Sequence, residues 1–175
     1  MEIILIRHTT PKIAKGICYG QSDIDVTDTF LEEITPILQE VSLDDSETVV
    51  YSSPLKRCKK LAEKLSNIVL FDDRLKELDF GDWELQNWND INKEALDIWM
   101  NDFVKVATTN GESYLDLHAR TTSFLLEIAK KEYKKVVIVT HAGVIRSLFS
   151  FINKTPLEKS FDLKLQYAQV LKIKY

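Results

Sequence analysis

Residues 3–6, Ile-Ile-Leu-Ile, form a short unbroken apolar run at the start of the chain, and residues 136–139, Val-Val-Ile-Val, form a second near its end. Both are rich in β-branched side chains without polar alternation, the pattern of strands buried on both faces. Residues 48–51 repeat the pattern more weakly, and 66–71 leave room for a fourth, short strand. Between these runs, apolar residues recur at helical spacing over roughly 28–41, 54–65, 89–103, 113–133 and 144–152. Ser53-Pro54 places a capping hydroxyl before a Pro at a first helical position. Thr155-Pro156-Leu157-Glu158 does the same with a Glu spaced for a capping box. In the last segment Leu171, Ile173 and Tyr175 alternate with Lys172 and Lys174, as in an edge strand whose open side is guarded by lysine. Strands alternating with helices predict a three-layer α/β fold, with a mainly parallel central sheet, helices on both faces and an antiparallel edge strand. No repeat or linker interrupts the pattern, so residues 1–175 read as one domain.

Composition narrows the function. A chain of 175 residues that is 45% hydrophobic and 10% aromatic can bury a substantial core, which excludes disorder as the dominant state. With 23 Lys and Arg against 27 Asp and Glu the net charge is −4, no footprint for nucleic-acid phosphates. Cys18 and Cys58 stand far apart, outside any C-x-x-C spacing, which supports neither a disulfide scaffold nor a zinc site and points to the cytoplasm. Glu2 occupies a place where a signal peptide needs basic residues, and no apolar run approaches the roughly 18–20 residues of a membrane span. The expectation is a cytoplasmic protein without membrane or nucleic-acid partners.

Two histidines stand directly after the two best strands, His8 after the first and His141 after the second. Ligands of doubly wound sheets bind outside the carboxyl ends of the strands. If these two strands are neighbours, about 4.8 Å apart, the imidazoles converge on one crevice. Singly, each is more simply a structural residue; the pair is not. Arg7 precedes His8, and Arg57 lies at the start of the helix that follows the third strand. Their forked donors suit a phosphate. Neighbouring cations lower the pKa of His8, keeping a nitrogen free to attack phosphorus. Arg7, Arg57 and His141 would spread the charge of the transferring group, with no metal or other cofactor required. A leaving alkoxide also needs a proton donor. Glu77, Asp79, Asp82 and Glu84 are the candidates in residues 75–84, and spacing does not choose among them.

Six ordered blocks together resemble the histidine phosphatase superfamily, with its phosphoglycerate mutase-like fold. They are Leu5-Ile6-Arg7-His8, Tyr19-Gly20-Gln21-Ser22-Asp23, Tyr51-Ser52-Ser53-Pro54-Leu55-Lys56-Arg57, residues 75–84, Gly111-Glu112-Ser113, and residues 139–146. The resemblance implies that His8 becomes the phosphohistidine, that Arg7, Arg57 and His141 hold the phosphate, and that Glu77 is the acid. It places Tyr19, Gly20, Gln21 and Ala142 as substrate contacts. Arg-His-Thr-Thr-Pro, followed by residues 16–23, is similar to the α-ribazole phosphatase branch, which implies hydrolysis of α-ribazole 5′-phosphate or the 5′-phosphorylated adenosylcobalamin precursor. Two positions depart from the wider family pattern: Thr9 and Leu85 stand where Gly is common. Thr9 fits the narrower branch, and Leu85 is a candidate to alter the mouth of the pocket.

Residues 82–110 are the stretch available to cap the site, and so small a cap admits water, favouring a phosphatase over a mutase. Trp88, Ile91, Leu96, Trp99, Met100 and Phe103 have the spacing either to line a groove or to pack on the domain. Trp83, six residues after Glu77, is the expected substrate contact there. His118 reads as structural or exposed, Arg120 as an ion-pair residue, Arg146 as an anchor of the helix after His141, and Cys58 as a buried hydrophobe. The rival readings are a broad sugar-phosphate or nucleotide phosphatase, a mutase-like enzyme, and a phosphate-binding module without turnover. A pure binding module needs neither nucleophile nor acid.

Overall fold

The computed structural model describes residues 1–41, 43 and 48–175. Among these residues, β1 (Glu2–Arg7), β2 (Thr48–Ser52), β3 (Leu70–Phe71), β4 (Lys135–Thr140) and β5 (Val170–Lys174) form one sheet in the order β3-β2-β4-β1-β5. β1 through β4 run parallel, and β5 closes one edge antiparallel to β1. The two apolar runs are thus the neighbouring inner strands β1 and β4, where both faces are covered and no polar alternation is needed.

Alternate residues of each strand feed opposite cores. Ile3, Leu5, Val136 and Ile138 pack under α4 (Tyr114–Ile128) and α5 (Ala142–Asn153), whereas Ile4, Ile6, Val137 and Val139 pack under α1 (Phe30–Glu40) and α2 (Lys56–Leu65). This is the expected three-layer α/β architecture. The chain leaves β1 for β2 through α1 on one face and reaches β4 through α4 on the other. The winding therefore reverses between β1 and β4, and a crevice opens at their carboxyl ends. No helix among the described residues is long and apolar enough to cross a membrane.

Several boundaries differ from the sequence reading for local reasons. α2 begins at Lys56 with Leu55 rather than Ser53 at its N-cap; the Ser53 hydroxyl lies 2.8 Å from His141 Nε2 and accepts from the Leu55 N–H only at 3.4 Å. α4 starts on a capping box, Ser113 with Asp116, and ends at Ile128. The next turn offers Lys131 and Glu132 where the apolar stripe would need partners. After Pro156 the chain makes a short 3-10 helix, Leu157–Asp162, without the capping-box bonds expected of it. β3 is only two residues long, and β5 is the lysine-bearing edge strand.

The stretch expected to cap the site contains α3 (Lys93–Asn101), started by the Asn92 side chain accepting from the Ala95 N–H. Trp83 and Ile91 pack there with Cys18 as a third apolar cluster, bordered by Phe80, Trp88, Leu96 and Trp99. Leu85 ties this cluster to the 17–22 loop, its N–H donating to the Cys18 carbonyl at 2.8 Å. It does so with φ at 65°, in the left-handed region that favours glycine. Its side chain points to solvent, 59% exposed, and is not part of the pocket mouth. Leu85 therefore meets under strain a backbone need that a glycine would meet without it. Leu85→Gly should raise stability by about 0.5–1 kcal/mol, the left-handed strain of roughly 1–2 kcal/mol less the extra freedom of an unfolded glycine. Urea unfolding of the two proteins measures the difference.

Candidate active site

β1 and β4 pair in register with Arg7 opposite Thr140, so the next residue of each strand is a histidine. The His8 N–H donates to the Thr140 carbonyl at 3.0 Å, and the two imidazole centres lie 5.1 Å apart, edge to face. His8 is 2% exposed and His141 fully buried. Nδ1 of His8 lies 2.7 Å from the Thr9 carbonyl. A carbonyl only accepts, so Nδ1 carries the proton and Nε2 keeps the lone pair. Burial, then the charges of Arg57 and Arg7, push the His8 pKa well below its ordinary value, against the Thr9 bond. Burial, Arg57 and His8 do the same to His141. Both rings are neutral at neutral pH.

Arg57 is fully buried, donating from Nη1 to the Ser22 carbonyl at 2.8 Å and from Nη2 to the Gly20 carbonyl. Arg7 donates from Nη1 to the Leu165 carbonyl at 2.7 Å. The Nε atoms of both are buried without a protein partner, and among the described residues neither arginine makes an ion pair. Two uncompensated guanidinium groups beside two neutral imidazoles are a standing demand for an anion. Arg57 approaches the site from the first turn of α2, as the sequence reading expected.

The four acids separate cleanly. Asp79 accepts from the Gly81 N–H, and Asp82 from Asn110. Glu84 accepts from the N–H groups of Gly20, Gln21, Ser22 and Phe80 and from the Ser22 hydroxyl, stapling the loop that holds Arg57. Burial opposes its charge, yet these bonds prevail and hold its carboxyl below the usual range. Glu77 alone of the four lines the cavity beside His8 and both arginines. Its oxygens accept from the Leu78 N–H at 3.0 Å and the Gly143 N–H at 3.1 Å, the latter at the start of α5. A Cβ on Gly143 would stand 2.2 Å from Glu77 Oε1, so a side chain there would push the Glu77 carboxylate from this position.

The cavity, about 440 Å³, has a polar floor and apolar walls. Arg7, His8, Arg57 and Glu77 form the floor; Phe80, Trp88, Trp99, Met100, Phe103 and Phe161 supply most of the wall. Of the expected substrate contacts only Tyr19 lines it. Trp83 is 6% exposed and fills the third cluster instead, one layer behind Trp88 and Trp99. Gly20 and Gln21 serve the Glu84 staple, and Gln21 also donates from Nε2 to the Glu77 carbonyl at 3.1 Å. Ala142 is buried between His141 and the lining residue Gly143.

Other residues act behind the site. Ser53 Oγ is 2.8 Å from His141 Nε2, and Cys58 Sγ lies 3.4 Å from the same nitrogen. Burial pushes both thiols up to about 12, so neither is a nucleophile at neutral pH. Arg120 does more than pair with Glu112: it donates to the carbonyls of Arg74, Lys76 and Glu77, fixing the segment that presents Glu77. Arg146 anchors α5 by donating to the Leu163 carbonyl and stacks on Phe161, while His118 contacts Ser147 away from the cavity. Among the added residues Ser22, Ser53, Glu112 and Gly143 had a sequence signal, their places in the quoted blocks.

The sequence profile of the histidine phosphatase superfamily (branch 1) matches residues 3–175. This chain belongs to that superfamily. It is 26% identical to a putative phosphoserine phosphatase 2 of Hydrogenobacter thermophilus, over 98% of this chain and 88% of the relative. It is equally 26% identical to the adenosylcobalamin/α-ribazole phosphatase of Escherichia coli, over 94% and 85% of the two chains. The crystal structure of the α-ribazole phosphatase from Shigella flexneri superposes with a TM-score of 0.90 at 24% identity, covering 99% of this chain and 90% of that one. The superfamily and its phosphoglycerate mutase-like fold are thereby shown, and the relatives are phosphatases of differing substrates.

Two expectations follow from the electrostatics. Because the Glu84 carboxyl is held low, its stabilising bonds are whole above the ordinary carboxylate range and are lost as pH falls through its lower folded value. Glu84→Gln should therefore destabilise by about 2–3 kcal/mol at pH near 7, and by less in acid, in urea unfolding at both pH values. His8, held neutral, should show no imidazole titration by NMR between about pH 7.5 and 6, where an ordinary histidine changes charge.

Proposed function

We propose that this protein hydrolyses phosphate monoesters through a phosphohistidine formed on His8 Nε2. The observation that carries the reading is the His8 Nδ1 bond to the Thr9 carbonyl, which leaves Nε2 unprotonated on a buried ring flanked by two unpaired arginines. A substrate phosphoryl group enters between Arg7 and Arg57, with His141 alongside. Nε2 attacks phosphorus as the bond to the ester oxygen breaks, and Glu77 gives its proton to the leaving alkoxide. Glu77 then takes a proton from water, whose oxygen attacks phosphorus; the N–P bond breaks, and inorganic phosphate leaves with His8 and Glu77 restored. Charge moving onto the transferring oxygens is met by fixed cations rather than by reorganising water.

The substrate we favour is α-ribazole 5′-phosphate, or the 5′-phosphorylated adenosylcobalamin precursor. Six apolar wall residues, five of them aromatic with each ring within about 6 Å of another, suit a leaving group that carries a flat heteroaromatic ring. The carboxylate and ammonium of phosphoserine, or the carboxylate of a phosphoglycerate, would lose water against these walls without gaining partners. In this reading residues 82–110 act as the cap, contributing Trp88, Trp99, Met100 and Phe103. The small-molecule ester is the only partner the reading needs, and the cytoplasm is its compartment.

Phosphate release in the presence of a chelator, from α-ribazole 5′-phosphate, phosphoserine, phosphoglycerates, sugar phosphates and nucleotides, tests both levels. We expect preference for the benzimidazole ester, and loss of all turnover in His8→Ala. Even release across the panel would keep the mechanism and remove the substrate. Phosphate binding without turnover would overturn the enzyme reading. Glu77→Gln should slow alkyl phosphates about a hundredfold and aryl phosphates far less, because a phenolate leaves with little protonation.

A further inference from the structure

Tyr167 lies outside every block that carries the family resemblance, yet it touches Arg7 and His8 of the floor and the lining residue Tyr19. The Arg7 guanidinium carbon stands 4.0 Å from the centre of its ring, and the His8 ring 5.5 Å from it. Its hydroxyl meets that of Tyr19 at 2.7 Å. The Tyr19 ring in turn faces the Arg57 guanidinium carbon at 5.5 Å. A continuous row runs from Arg7 through Tyr167 and Tyr19 to Arg57, and one hydrogen bond between two phenols joins its halves.

Each half is anchored to a different part of the chain. The Tyr167 side is fixed to β1: the Arg7 N–H donates to the Gln169 carbonyl, the Ala168 N–H to the His8 carbonyl, and Arg7 Nη1 to the Leu165 carbonyl. The Tyr19 side is fixed to the loop whose Gly20 and Ser22 carbonyls hold Arg57, and which Glu84 staples. Among the described residues neither arginine has a carboxylate to hold it, so stacking and carbonyl bonds set its place. Without the phenol pair, these two anchored segments would meet at the cavity edge with no polar bond in the row between them.

We infer that Tyr167 is a positioning residue, and that its hydrogen bond to Tyr19 sets the spacing of Arg7 and Arg57 across the transferring phosphoryl group. The inference rests on the phosphate-holding role proposed above for the two arginines. A flattened phosphoryl group in the transition state presents its oxygens at one fixed spread, so arginine spacing matters more there than for the bound ester. The row therefore acts on kcat more than on KM.

The test is a double-mutant cycle on Tyr19→Phe and Tyr167→Phe, with p-nitrophenyl phosphate turnover and orthovanadate inhibition as readouts. Phenylalanine keeps both rings and removes only the hydroxyls. Each single variant should lose about threefold to tenfold in kcat, the range one neutral hydrogen bond supplies, with KM changed less than twofold. Vanadate affinity should fall in parallel. The double variant should be no worse than either single one, because the two hydroxyls make one bond. Tyr167→Ala, which also removes the stack on Arg7, should lose more than Tyr167→Phe. Single variants with wild-type kcat, additive losses, or a rise in KM alone would overturn the inference while leaving the phosphatase reading intact. A wild-type protein that neither turns over the ester nor binds vanadate would overturn both.

Discussion

The parallel, in-register pairing of β1 with β4 is the constraint on which the site depends. It sets Arg7 against Thr140 and so makes the next residue of each strand an imidazole beside the other. A slip of one residue would turn every side chain of a strand to the opposite face. It would also exchange the contributions of that strand to two separate cores, which share none of their strand residues. The hydrophobic ledger of the whole sheet therefore enforces the geometry of two histidines. The same pairing buries both rings, and burial is the first cause that keeps them neutral.

Around that pair, among the described residues, carboxylates hold loops and none pairs with Arg7 or Arg57. Glu84 organises residues 20–22, and Glu112 with Arg120 organises the Glu77 segment. Arg7 and Arg57 receive only carbonyl oxygens, which orient a guanidinium without cancelling its charge. A buried cation left in that state costs stability. On the function proposed above, a phosphate group entering between the two arginines offsets that cost. Gly143 completes the arrangement by letting Glu77 sit against the first turn of α5, where its oxygen meets a backbone N–H.

The cavity divides its labour by depth. Its floor comes from the end of β1, the first turn of α2 and the loop segment that presents Glu77 against the first turn of α5. Its walls come largely from the stretch between residues 78 and 103 and from Phe161. Floor chemistry can stay constant while wall residues change with the leaving group, which accords with relatives of one superfamily having different substrates.

Local pattern alone determined the strands, the helices and the α/β class, because β-branched runs and helical periodicity are properties of neighbouring residues. It also brought out His8, His141, Arg7 and Arg57, since each lies at a strand end or in the helical turn that follows one. The choice of Glu77 came from resemblance, and only the packing shows why its three acidic neighbours point elsewhere: each is consumed by a backbone or amide donor that spacing does not reveal. Trp83 and Trp88 are indistinguishable as letters; one is drawn into the third cluster by Cys18 and Ile91, and the other is left at the cavity wall. Ser53 reads as a helix cap, but the helix starts beyond it at Lys56 and its hydroxyl meets His141, 88 residues away. Sequence determined which chemical groups stand at the ends of buried strands, because burial and chain direction are written locally. Tertiary structure decided which of the remaining groups meet them, because contacts between distant segments depend on how the layers close.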